Sequence, residues 1–155
     1  MSETNKPTLD KNVLALKEVI SKNLETKGSG VYTVSKGGFE DTLADIGIES
    51  GVVKKIANHR NDYLLALGLA VGEKGIDDFK GDKDLKQVSV ECKLETGDVM
   101  GAVFSRERNL PSKDGGMESR KGVLSLNYRT SGQSPTRTKT QNVKKHLRDL
   151  AMKEL

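Results

Sequence analysis

The sequence predicts an α+β fold: N-terminal helices packed on a small antiparallel sheet of about three strands, then a flexible linker and a C-terminal basic amphipathic helix. Two observations carry this. Apolar residues recur at helical spacing in the first half of the chain, alternate strictly with polar ones after Gly81, and return to helical spacing near the C-terminus. Helices and strands are also segregated along the chain, whereas the parallel βαβ units of an α/β fold would interleave them. The expected organisation is a globular domain over residues 1–129, a linker over 130–140 and a basic helix or arm over 141–155.

The elements follow in order. Leu9, Val13, Leu16, Ile20 and Leu24 fall on one helical stripe with Lys11, Lys17, Glu18 and Lys22 outside it, so a first helix is expected over residues 9–24. The glycines of Glu25–Gly30 break it, and Val31–Val34 has strand propensity. Phe39, Leu43 and Ile46 suggest a brief helix ending at Gly47. A second helix begins after Ser50, a good N-cap, and its apolar set runs from Val52 to Val71, with Asn58–Asn61 polar enough to kink or break it. Val88, Val90, Cys92 and Leu94 alternate with Ser89, Glu91 and Lys93, the clearest strand in the chain. The turn residues Thr96-Gly97-Asp98 and the apolar run Val99–Phe104 complete an antiparallel hairpin. Val123–Tyr128 reads as a third strand after a loop, Asn109–Gly122, with a mobile tip. Thr130–Thr140 contains no apolar residue and reads as the linker; Val143, Leu147 and Leu150 form the stripe of the last helix.

Composition narrows the function. The 155 residues are 34% hydrophobic and 31% charged, with no Trp, three Tyr, three Phe and one Cys. A single Cys excludes an internal disulfide, and no apolar run is long enough for a transmembrane helix. The polar start MSETNKPTLDKN lacks a signal-peptide core, so the expected compartment is the cytoplasm, with no membrane partner. The net charge of +4 hides an asymmetry: residues 1–99 carry 14 Lys and Arg against 17 Asp and Glu, whereas residues 100–155 carry 12 against 5.

That basic third is the candidate nucleic-acid-binding region. Its residues are Arg106 and Arg108 at the end of the second strand, Lys113, Arg120 and Lys121 in the loop, and Arg129, Arg137, Lys139, Lys144, Lys145 and Arg148 toward the C-terminus. Each Lys or Arg that neutralises a phosphate releases condensed counterions and adds salt-sensitive affinity. A polar linker leading into a basic helix suits an arm that orders on nucleic acid. Scarce aromatics disfavour base stacking, so backbone contact is expected, with DNA favoured over RNA. A helix-turn-helix over Phe39–Tyr63, with Lys54, Lys55, His59 and Arg60 on its second helix, is a further arrangement of this kind. The expected function is that of a small non-enzymatic accessory or regulatory protein that contacts the phosphate backbone.

Two alternatives stand beside it. In the first, the chain is a viral or other assembly protein, a homo-oligomer in which Val143, Leu147 and Leu150 dock the C-terminal helix on a neighbouring subunit. In the second, Glu91-Cys92-Lys93 on a strand, with Asp77 and Asp78 upstream, resembles the acidic-and-lysine pattern of restriction-endonuclease-like nucleases. The resemblance implies that two carboxylates hold Mg²⁺ while the lysine assists the attacking water. The proline and apolar strand usual before the aspartate are absent from Lys74–Asp78, and the pattern covers barely twenty residues. His59 and His146 lack metal-ligand spacing, Cys92 lies on the strand's apolar side, and no phosphate loop occurs, so neither a cofactor nor a metal is expected for the principal reading.

Overall fold

The computed structural model describes residues 8–34, 56–93, 99–128 and 137–155. It is α+β, with three helices and a five-stranded mixed sheet among those residues. Helix α1 (Lys11–Lys22) starts where Asp10 caps it, its carboxylate accepting from the backbone N–H of Asn12 at 2.9 Å and of Val13 at 3.3 Å. Of the predicted stripe, Val13, Leu16 and Ile20 lie in the helix and are buried, whereas Leu9 precedes it and Leu24 opens the next strand. Strands β1 (Leu24–Gly28) and β2 (Val31–Val34) form an antiparallel hairpin. Helix α2 spans Ile56–Gly81 without a break at the polar Asn58–Asn61 segment. Strands β3 (Gln87–Lys93), β4 (Val99–Pro111) and β5 (Met117–Tyr128) follow, and helix α3 (Arg137–Glu154) ends the chain.

The strands lie in chain order, β1-β2-β3-β4-β5, with β2 and β3 parallel and every other neighbouring pair antiparallel. The expectation of about three antiparallel strands is corrected in both number and kind. The polar Glu25-Thr-Lys-Gly segment that forms most of β1 has no apolar alternation to mark it, and β2 reaches β3 only across the long connection that contains α2. The expected β3–β4 hairpin is present; its turn at Thr96–Asp98 lies outside the described residues, as do the brief helix from Phe39 and the cap at Ser50.

The expected loop over Asn109–Gly122 is instead the distal half of a long β4–β5 hairpin, with only residues 112–116 in the turn. Its strands carry polar residues on both sides, so no apolar alternation announces them, although Asp114-Gly115 is a hairpin-turn signal. Helix α3 begins at Arg137, inside the span 130–140 expected to be linker; residues 129–136 are outside the described set.

Helix α2 is the centre of the core. Tyr63–Leu67 and Leu69–Val71 are all buried, since α1 covers one side of the helix, the sheet another and α3 a third. A helix apolar all round is suited to such a place. Tyr32, Val88, Val90, Met100, Ala102, Phe104 and Leu124 line the sheet face beneath it. Phe79 of α2 stacks on Phe104 of β4 with ring centroids 6.0 Å apart.

Helix α3 is built into this core. Val143, Leu147 and Ala151 are buried, and two glycines make room for them. A Cβ on Gly72 of α2 would sit 2.5 Å from the Leu147 side chain. Gly122 of β5, at φ +66°, brings the strand so close that a Cβ there would meet Ala151 Cβ at 2.6 Å and the Arg148 backbone at 3.3 Å.

Candidate nucleic-acid interface

Strand β3 starts at Gln87, opposite Ser105, and beyond it the sheet narrows to β4 and β5. Five further rungs, from Glu107–Lys121 to Pro111–Met117, form a ribbon that reaches roughly 15 Å at strand spacing. The turn closes through Ser112 N–H to Gly116 O at 2.8 Å and Gly115 N–H to Ser112 O at 3.2 Å. Nearly every residue from Glu107 to Lys121 is exposed.

Arg108 and Arg120 stand directly opposite each other on this ribbon. Like charges in that relation repel, so the rung costs stability unless an anion lies against it. Arg120 is 3.4 Å from Glu118, and Arg108 donates to Ser125 Oγ at 3.4 Å. Both contacts are long and exposed, and contribute little.

Between the ribbon's base and α3 runs a groove of about 390 Å³. Its charged lining is Arg120, Lys144, Lys145 and Arg148; Leu110, Gly122, Leu124, Gln141 and Asn142 supply much of the rest, and no carboxylate lines it. Lys144 and Arg148 are one helical turn apart, which places them on the same side of α3. A concave surface lined by one sign of charge concentrates its field and draws in anions. Four of the sequence-predicted residues thus converge in one groove, with Arg108 across the strand from one of them.

The other basic candidates are placed differently. Arg106 turns inward: its guanidinium donates to the carbonyls of Asp82 at 2.6 Å, Lys83 at 3.0 Å and Phe79, and lies 4.9 Å from the Phe79 ring centre. It caps the C-terminal end of α2, where a cation satisfies the last carbonyls and the helix dipole. Lys139 is a clamp between helices, 3.1 Å from Asp62 on α2 and 3.3 Å from the α1 cap Asp10. Burial disfavours its charged form, but Asp62 and Asp10 outweigh that and raise its pKa. Lys113 is in the ribbon turn, Lys121 is exposed opposite Glu107, Arg137 is exposed at the start of α3, and Arg129 lies outside the described residues.

Further ties fix α3 in place. Glu73 of α2 lies 3.2 Å from Lys17 of α1 and 3.6 Å from His146 of α3. Burial works against its ionised form, yet His146 and Lys17 hold its pKa below the usual range. At the far end of α3, Glu154 pairs with Lys80 at 2.8 Å. The stripe expected to dock on a neighbouring subunit is used within the chain: Val143 and Leu147 are buried and Leu150 is half-buried.

The nuclease candidates are not brought together. Asp78 accepts a hydrogen bond from the Tyr32 hydroxyl on the helix-covered side of the sheet and lies 3.7 Å from Lys74. Burial and the Asp78 carboxylate push the Tyr32 pKa up to about 12. Asp77 is exposed on α2. Glu91 alternates with the buried Val90 and Cys92, so it faces the opposite, open side of the sheet; Lys93 follows two positions along the same strand. That open side holds a shallow concavity of about 840 Å³, larger than the basic groove but with Glu91 as its one lining carboxylate. Among the described residues, no three His, Cys, Asp or Glu side chains gather as a metal site would require.

The chain matches no protein-family model, no curated protein and no solved structure. Among the described residues no helix is long and apolar enough to cross a membrane. The groove's chemistry therefore carries the functional reading alone.

Proposed function

We propose that this chain is a non-enzymatic nucleic-acid-binding protein, accessory or regulatory in role, that grips the phosphate backbone with the groove between the β4–β5 ribbon and α3. The observation that carries the reading is the lining itself: Arg120, Lys144, Lys145 and Arg148, with no carboxylate among them. Guanidinium and ammonium groups on two separate elements make a two-sided contact for phosphates. Their affinity derives from counterion release rather than from base identity.

The test is binding to labelled DNA across a salt series. The full chain should bind with a slope of log affinity against log salt of about −4, near −0.9 for each phosphate neutralised. Lys144→Gln with Arg148→Gln should lower affinity and reduce that slope by about 2, with thermal stability unchanged. Absence of binding at low salt, or a slope the double variant leaves unaltered, overturns the proposal.

A further inference from the structure

We infer that the ligand of this surface is B-form duplex DNA, with the β4–β5 ribbon inserted in its major groove and the neighbouring phosphate backbone lying in the basic cleft between ribbon and α3. The inference rests on the nucleic-acid reading above and names its substrate.

The cleft has two walls and a floor. Gln141, Lys144, Lys145 and Arg148 fall at i, i+3, i+4 and i+7, one stripe of α3, and Arg120 stands on the ribbon side. The floor is at Gly122, where β5 comes so close to α3 that a Cβ would meet Ala151 Cβ at 2.6 Å. A duplex backbone seated here is a ridge with a wall on each flank, and the space beside such a ridge is a groove of the duplex. Helix α3 cannot enter that space, because Val143, Leu147 and Ala151 bed it in the core. The ribbon can. It projects roughly 15 Å beyond the rest of the sheet, and nearly every residue on it is exposed.

Dimensions select which groove. A two-stranded ribbon with side chains on both faces is roughly 10 Å thick. The B-form major groove, about 12 Å wide and about 8.5 Å deep, admits it, whereas the minor groove of about 6 Å does not. Duplex RNA presents a deep and narrow major groove that closes this route. A single strand offers no groove, so it engages the cleft alone.

The end of the ribbon suits base edges better than phosphates. Cations are the only charged groups lining the cleft, whereas the ribbon turn holds Lys113 and Asp114 side by side. Phosphates present acceptors only. Base edges in the major groove present acceptors on guanine and a donor on cytosine, so both signs of charge find partners there. Gly116 points the same way. Its φ lies outside the left-handed region, and a Cβ on it would meet only Ser112 Oγ at 3.8 Å, so the fold does not require glycine at this position. A bare backbone at the tip lets the turn come close to a base pair.

The experiment measures anisotropy with the full chain and a labelled DNA duplex of about 20 base pairs, roughly two helical turns. Its competitors in parallel titrations are duplex RNA and single-stranded DNA of the same sequence, and a DNA duplex whose cytosines carry a glucosylated hydroxymethyl group at C5, which fills the major groove. The unmodified DNA duplex should bind about tenfold more tightly than each of these three. A minor-groove-binding polyamide added to the duplex should leave affinity unchanged. Gly116→Leu should keep the parent's unfolding midpoint and its weak binding to duplex RNA while losing most of the tenfold preference. Equal affinity for duplex RNA or the single strand, indifference to glucosylation, displacement by the polyamide, or a Gly116→Leu variant that keeps the preference overturns this inference and leaves the proposed function standing. Failure to bind any nucleic acid overturns both.

Discussion

Helix α3 and the β4–β5 ribbon face each other across the basic groove, and they are held there by different means. Helix α3 is anchored by Val143, Leu147 and Ala151 in the core, by Lys139 at its first turn and by Glu154 at its last. The ribbon beyond Glu107 has its own ladder and turn, with exposed side-chain contacts between its two strands such as Ser119 to Glu107 and Arg108 to Ser125. A cation on α3 therefore stands on an element whose position is fixed by the rest of the chain, whereas a cation on the ribbon can change with little effect on the fold. Damage to α3's anchors should remove stability and binding together, while damage to the ribbon should remove binding alone.

The largest effect expected is at Leu147, fully buried against Gly72. Leu147→Ala should lower unfolding stability by about 2–5 kcal/mol, measured by urea denaturation, and weaken DNA binding in parallel. Retained stability would mean that α3 is not part of the core. Next comes Lys139→Ala, which leaves the buried Asp62 carboxylate without that partner. A loss of about 1–2 kcal/mol is expected, reduced from the value for a fully buried pair because the lysine is partly exposed.

Acid should produce a smaller, graded loss. Burial opposes ionisation of Glu73 and Asp10; His146 and Lys17 overcome it for Glu73, and the Asn12 and Val13 N–H groups with Lys139 overcome it for Asp10. Both folded pKa values thus lie below the ordinary 4.5 and 3.8, and the unfolded chain takes up protons first as pH falls. Their stabilisation is complete above the unfolded values and disappears as pH drops through the folded ones. Urea midpoints measured from pH 6 down to pH 3 should decline in that window, and Glu73→Gln should flatten the decline.

The smallest stability effect belongs to the ribbon. Arg108→Ala should change stability by no more than about 0.5 kcal/mol, with relief of the Arg120 repulsion favouring a slight gain. The same change should weaken DNA binding and reduce the salt slope by about 1. A stability loss comparable to that of Leu147→Ala would erase the contrast between the two walls.

The sequence was most legible where burial imposes a period. Leu16 and Ile20 of α1, Val88 and Val90 of β3, and Val143 and Leu147 of α3 each keep one side in the core and show the spacing of their element. The ribbon lacks that constraint, because residues exposed on both faces need no alternation, and Arg108, Lys113 and Arg120 therefore read as a charged loop. Strand β1 was hidden for a related reason: Glu25, Thr26 and Lys27 are exposed, and the strand exists because β2 pairs with it. For the candidate site, the charge asymmetry pointed to the right third of the chain. It could not separate Arg120, Lys144, Lys145 and Arg148 from Arg106 and Lys139, which serve the fold, because the carbonyls at the end of α2 and the Asp10–Asp62 pair are remote from them in sequence.

The parallel pairing of β2 with β3 has a consequence for the order in which the chain assembles. Val31 meets Ser89 across roughly sixty residues, so the closure entropy of that segment opposes the contact until α2 is in place. The β3–β4 and β4–β5 pairings are hairpins between consecutive strands and form at lower entropic cost. Strands β3, β4 and β5 with α2 should accordingly nucleate first, and the β1–β2 hairpin should join as a late addition at the sheet's edge. In native-state hydrogen exchange its amides should open before those of β4 opposite β3, so this edge hairpin is the part of the sheet assembled last and released first.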